Sequence, residues 1–190
     1  MDILEFIKSR RSIRKFLDKP VEKEHLTKIL EAARWAPSAG NCQPWRFIVV
    51  TERKKIQKFD PFFHQPWVMN APVVIVVLAA PEDSYRRYGP GSSWFIQDCA
   101  AATENMLLMA HGLQLGAVWI GAFSKEAVRE ELAIDDKYEV FGLVCLGHYK
   151  TDAAATYDGY SFANDERRNR KSLEKIAFAE SLQSPWSIKL

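Results

Sequence analysis

Val73-Val74-Ile75-Val76-Val77-Leu78-Ala79-Ala80 follows Pro72 without a polar interruption. Eight apolar residues, most of them β-branched, predict a central strand covered on both faces. Outward from it, Trp94–Leu115 carries the longest helical pattern. Ile96, Cys99, Ala100, Thr103, Met106, Leu107, Ala110, Leu113 and Gln114 fall on one broad face. Ala100, Ala101, Ala102 and Ala110 permit a second helix to approach closely. Such a helix runs about 33 Å, enough to be the spine of a domain or of a dimer. Gly112 and Gly116 mark its end. Further strands are expected at Arg46–Val50, Ala117–Ala122 and Glu139–Tyr149, the last alternating less cleanly. Helices are expected over 2–9 with Asp2 as N-cap, over Pro20–Arg34, over 52–58, and from a Ser124 cap through Leu132.

The totals narrow the classes. A chain of 190 residues favours one domain with a sizeable core. A net charge of +2 is too small for a nucleic-acid footprint. No segment approaches the roughly 20 apolar residues of a membrane helix, and the start of the chain lacks signal-peptide regions. Cys42, Cys99 and Cys145 are far apart and odd in number, which argues against a disulfide framework and fits a reducing cytoplasm. No phosphate-binding glycine loop, zinc spacing or nucleophile elbow is present. His25, His64, His111 and His148 are scattered, and no carboxylate stands out as isolated in an apolar setting. The expected metal set is therefore none.

Two stretches carry candidate chemistry. Arg10-Arg11-Ser12-Ile13-Arg14 puts three guanidiniums and a hydroxyl into five residues. Guanidinium forks offer paired donors in a plane and suit phosphate oxygens. Ile13 and Phe16 would anchor this irregular segment in the core and hold the arginines in fixed directions. Ala36-Pro37-Ser38-Ala39-Gly40-Asn41-Cys42-Gln43-Pro44-Trp45 supplies small residues, turn formers and two amides. The chain reads as a scaffold bringing both stretches to one anionic, planar ligand. The aromatic run Phe59–Trp67 suits either packing under a partner or the wall of a pocket, and the polar loop 81–93 has no assigned role. The last stretch, 150–190, holds a polar loop, the basic run Arg167–Lys171 and a short helical pattern through Leu182. It is long for a fraying terminus and is expected to wrap this chain or its twin.

With these motifs in view the chain resembles the flavin-dependent nitroreductase family. The resemblance rests on Arg10-Arg11-Ser12-Ile13-Arg14-x-Phe16, on Ala36-Pro37-Ser38-x-x-Asn41-x-Gln43-Pro44-Trp45-x-Phe47, on Asp98–Gly116 leading into Val118-Trp119-Ile120-Gly121-Ala122-Phe123, and on Arg168-x-Arg170-Lys171-x-Leu173-Glu174. The four occur in the family's order and cover nearly the whole chain. The resemblance implies an α+β fold, a mixed central sheet flanked by helices, and an intertwined homodimer with two FMN sites at the subunit interface. Residues 150–190 would embrace the partner. By the same resemblance Arg10, Ser12 and Arg14, with Arg11 in the same motif, surround the FMN phosphate, ribityl chain and pyrimidine edge. Pro37, Ser38, Asn41 and Gln43 approach the ring or chain, several of them from the other subunit. Gly121 and Ala122 present backbone near the redox edge, and Arg168 and Arg170 close on the phosphate.

The implied activity is a ping-pong oxidoreductase. NADH or NADPH reduces FMN, and a nitroaromatic, quinone or similar planar small molecule then takes two electrons. The flavin carries the chemistry, so no strictly catalytic side chain is expected. A cation near the N1–C2=O edge, with Arg14 the candidate, would stabilise anionic reduced flavin. Flavin fragmentation, reductive dehalogenation, or flavin binding without turnover are the competing readings on the same fold.

Overall fold

Val73–Ala79 forms strand β2, and every residue in it is buried. The computed structural model describes residues 2–59, 67–86, 93–150 and 170–186. Two compact units divide the chain, Met1–Ala153 and Ala154–Leu190. In the first, helix α1 (Ile3–Ser9) and helix α2 (Lys23–Arg34) precede strand β1 (Trp45–Val50). Short helices α3 (Arg53–Ile56) and α4 (Trp67–Asn70) lead to β2. Helix α5 (Trp94–Gly112), strand β3 (Gly116–Ile120), helix α6 (Lys125–Glu131) and strand β4 (Glu139–Gly147) follow.

The strands form one sheet in the order β1-β2-β4-β3, all neighbours antiparallel. Among the described residues its parallel element is the bridge between Ser12 and Ala117 on the outer side of β3. The sheet has two faces because side chains alternate along a strand. Val73, Ile75, Val77 and Ala79 pack with α2 and α5, through Ile29, Ala33, Cys99 and Met106. Val74, Val76 and Leu78 pack with Ile56, Phe59 and Val128 on the other side. Burial on both faces is the reason β2 reads as a continuous apolar run.

The poorer alternation of the last strand has a structural cause. Val77 pairs with Gly142, whereas Leu78 pairs with Val140, so Phe141 is an extra residue in β4. This bulge resets the parity: Val140 and Leu143 share one face although they are three apart.

Several expectations are corrected at the ends of elements. Asp2 caps α1 with its backbone, Phe6 N–H donating to Asp2 O, and its side chain makes no cap bond. Ile96 is 47% exposed and Gln114 lies outside α5, so neither belongs to the buried face. Gln114 takes φ 59° and turns the chain out of the helix into β3. Ser124 does cap α6, its Oγ accepting from Ala127 N–H at 3.1 Å. Within the second unit, 170–186 contains a single turn at Leu173–Lys175 and a bridge between Phe178 and Pro185 rather than a helix through Leu182. Left-handed Glu180 (φ 62°) reverses the chain there. Most of the aromatic run, residues 60–66, lies outside the described residues.

Candidate functional site

The arginine segment is held as an added edge to the sheet. Ile13 N–H donates to Ala117 O at 2.9 Å, and Leu17 N–H donates to His148 O at 2.7 Å. Between these bonds Ile13 is buried, 6% exposed. Its side chain lies so close to Gly116 that a Cβ there would sit 2.6 Å from Ile13 Cγ2. Gly116 thus permits the close approach. In extended backbone, burial of Ile13 turns Ser12 and Arg14 to the opposite side. Arg10, Arg11, Ser12 and Arg14 are all partly buried. Arg10 Nε lies 3.5 Å from Glu104 Oε1 on α5. Burial pulls the Arg14 guanidinium below the usual arginine range, because a partly desolvated cation is less favourable than one in water.

The second stretch is a strained loop. Ser38 is extended, and Ala39–Asn41 forms one turn of 3₁₀ helix. Gly40 (φ 57°), Asn41 (φ 55°) and Gln43 (φ 52°) all lie in the left-handed region. Two of these carry side chains, so the conformation persists only because contacts enforce it. Gln43 N–H donates to Ser38 Oγ at 3.1 Å, and Gln43 Nε2 donates to Asn41 O and Oδ1, each at 3.2 Å. The Tyr85 ring lies over Gly40, where a Cβ would come within 2.5 Å of it. Ala39 N–H donates to Asp98 Oδ1 at 3.0 Å. Pro37, Asn41 and Gln43 are exposed, and Ser38 is partly buried.

Pairing registers fix where these parts stand. The arginine segment lies at the start of β3, one edge of the sheet. The 38–43 loop enters β1, the other edge, at Trp45, which pairs with Ala79 at the end of β2. Three strand spacings separate the edges, about 14 Å, and the two stretches are at opposite ends of the strands as well. Gly121 and Ala122 directly follow β3 and are exposed. A Cβ on Gly121 would meet no atom of the described residues within 4 Å. The arginines and Gly121–Ala122 therefore stand at the two ends of one edge strand, and the loop lies at the opposite edge. Arg170 is exposed at the head of the described part of the second unit, and Arg168 lies outside the described residues.

Asp98 opens one of the stretches that carry the resemblance, but neither it nor Tyr85 is assigned a role by the sequence. Asp98 is a carboxylate in an apolar setting after all, 5% exposed. Its signal was legible: it stands three residues after Phe95 and four before Ala102, on the buried face of α5. Tyr85 lies in the loop that was given no role, and no spacing rule would have linked it to Gly40.

These features define an α+β scaffold with a partly buried row of guanidiniums on one sheet edge and a strained amide loop on the other. The chain belongs to the nitroreductase family, whose model matches residues 7–68 and 60–148. It is 42% identical, over 90% of its length and 98% of the relative's, to an Archaeoglobus fulgidus protein provisionally named NADH dehydrogenase/NAD(P)H nitroreductase. A solved nitroreductase family protein from Clostridium difficile superposes with a TM-score of 0.79 at 29% identity, covering 95% of this chain and 99% of that one. A provisionally assigned nitroreductase from Desulfovibrio desulfuricans, solved in complex with FMN, superposes with a TM-score of 0.75 at 31% identity, covering 95% and 98%.

Proposed function

We propose that the protein is an FMN-dependent NAD(P)H oxidoreductase that reduces flat electron acceptors. The observation that carries this reading is the guanidinium row of Arg10, Arg11 and Arg14, held partly buried against the start of β3, with the open backbone of Gly121 just past the end of that strand. The residues fit the cofactor's chemistry. A phosphate suits half-desolvated guanidiniums, which offer it charge-assisted paired donors in a fixed plane. Space in front of Gly121 suits a ring laid against backbone. FMN, when bound, would supply the two-electron chemistry, taking hydride from NADH or NADPH and passing reducing equivalents in a second half-reaction to a nitroaromatic, quinone or similar planar acceptor.

In this reading Arg10 and Ser12 bind the phosphate and ribityl chain, with Arg11 supporting the same region and Arg168 and Arg170 closing over it. Arg14 places positive charge at the pyrimidine edge, where reduction adds negative charge. Pro37, Ser38, Asn41 and Gln43 orient the ring. No side chain of the chain acts as nucleophile. The separation of loop and arginines across the sheet supports a homodimer in which the loop of one copy serves the arginine edge of the other. Exposed Ile3, Leu4 and Ile7 on α1 point the same way. So does an apolar groove of about 410 Å³ beside α1, lined by Phe6, Leu108, Met109 and Leu113. On this reading residues 1–190 act as a single domain, and 150–190 reach around the partner in the cytoplasm.

The test is an absorbance spectrum of the purified protein, followed by anaerobic NADH and then NADPH. A flavin spectrum that bleaches with either donor is expected. A colourless protein that takes up no added FMN would sink the proposal. Bound flavin that neither donor reduces would favour flavin binding without turnover.

A further inference from the structure

We propose that Asp98 is a positioning residue for the cofactor: its buried carboxyl grips the Ala39 amide and so holds the 38–43 loop in the geometry that meets the flavin. The inference rests on the reading of that loop as a flavin contact. Asp98 occupies the fifth position of α5, on the face that carries Phe95, Cys99 and Ala102 into the core. Only 5% of it is exposed. One carboxyl oxygen accepts from Ala39 N–H at 3.0 Å. The other is buried and has no hydrogen-bond partner among the described residues. Burial pushes this carboxyl above the ordinary aspartate range, with the Ala39 amide opposing the shift. A group so placed is a poor choice for packing, since an apolar side chain would fill the same face without desolvating a carboxyl.

The loop explains what the carboxyl does there. Its left-handed run through Gly40, Asn41 and Gln43 is strained and needs external restraint. The Ser38–Gln43 and Asn41–Gln43 bonds are internal to the loop. Tyr85, over Gly40, comes from another loop. The Asp98–Ala39 bond ties the loop to the central helix of the fold. It acts on the first residue of the 3₁₀ turn, where a rotation would carry Asn41 and Gln43 with it. Asp98 touches no ligand in this scheme; it sets where the ligand-facing amides stand.

The test compares Asp98→Asn, Asp98→Ala and Asp98→Leu in protein stripped of flavin. FMN affinity is titrated by fluorescence, and hydrogen exchange is followed in the peptide spanning residues 38–43. Asparagine keeps an oxygen for the Ala39 N–H, so its affinity should stay within about threefold of the parent. Alanine and leucine remove the acceptor, leucine without leaving a void. Both should weaken FMN by about tenfold or more, the scale of one lost positioning bond. Both should speed exchange in that peptide, and in Asp98→Leu the melting temperature should hold or rise. Parental affinity in Asp98→Leu, or an Asp98→Asn variant as weak as Asp98→Ala, would overturn the proposal. A parent protein that binds no FMN would instead defeat the flavin reading. The exchange data would still judge the grip on the loop, and unchanged exchange in Asp98→Leu would refute it.

Discussion

Replacing Gly116 by alanine should damage the arginine segment from inside the core. The added methyl would sit 2.6 Å from Ile13 Cγ2 and 2.8 Å from Ile13 Cβ. The second of these atoms is fixed to the backbone, so a side-chain rotation cannot relieve the clash. Either Ile13 is overpacked, at about 1–3 kcal/mol, or the segment lifts off β3 and loses the Ile13–Ala117 bond, worth about 1 kcal/mol. Alanine returns up to about 1 kcal/mol by removing glycine's freedom in the unfolded chain. The net loss is about 0–3 kcal/mol, a fall in melting temperature of up to roughly 12 °C for a chain of this size. The assay is thermal and urea unfolding of the flavin-free protein, paired with an FMN titration. Stability and FMN affinity should fall together, because the same displacement moves Arg10, Ser12 and Arg14. Gly121→Ala is the control. Its methyl meets no atom of the described residues within 4 Å, so stability should stay within about 0.5 kcal/mol while FMN binding weakens. A Gly116→Ala variant that melts like the parent and binds FMN as well would refute the role given to this packing.

Arg14→Ala should weaken FMN retention or slow anaerobic flavin reduction, by about tenfold if one charge-assisted contact is lost; an unchanged occupancy and rate would place Arg14 elsewhere. Thiol titration of the native protein should find one fast cysteine, Cys42, which is partly buried, because burial pushes Cys99 up to about 12 and Cys145 higher still. Fast labelling of three would contradict the core. His111, whose Nε2 lies 2.8 Å from Ser9 Oγ, is held below the ordinary histidine range by burial and by Arg10. The unfolded chain therefore binds the proton first as pH falls below about 6.5. Stability should drop with acidification through that window and recover as pH rises, and His111→Gln should flatten the slope. A slope identical to the parent's would remove His111 as its source.

The sheet and the long helix were legible because burial writes itself into sequence as a run or a period. Val73–Ala79 and the Phe95–Cys99–Ala102–Met106 face are such cases. The bulge at Phe141 was visible only as a blurred alternation, since a bulge shifts parity without changing composition. The arginine segment was legible as a motif, while its attachment to β3 depends on Gly116 meeting Ile13 across about a hundred residues. Asp98 was passed over because one acidic residue on an apolar face looks like noise until its burial is known. Tyr85 over Gly40 had no local signal at all. The tail's turn at Glu180 defeated a helical pattern, because a backbone reversal there outweighs a few apolar residues at helical spacing.

The placement of the arginines and the loop at opposite corners of the sheet has a genetic consequence. In the proposed dimer each site draws the arginine edge from one chain and the loop from the other. A chain damaged only at Arg14 and a chain damaged only at Asn41 would each assemble with themselves into dimers with two faulty sites. In a mixed dimer both lesions fall in one site, and the other receives a complete set of residues. Two inactive alleles of this gene should therefore complement one another when expressed in the same cell, whereas two alleles damaged in the same stretch should not.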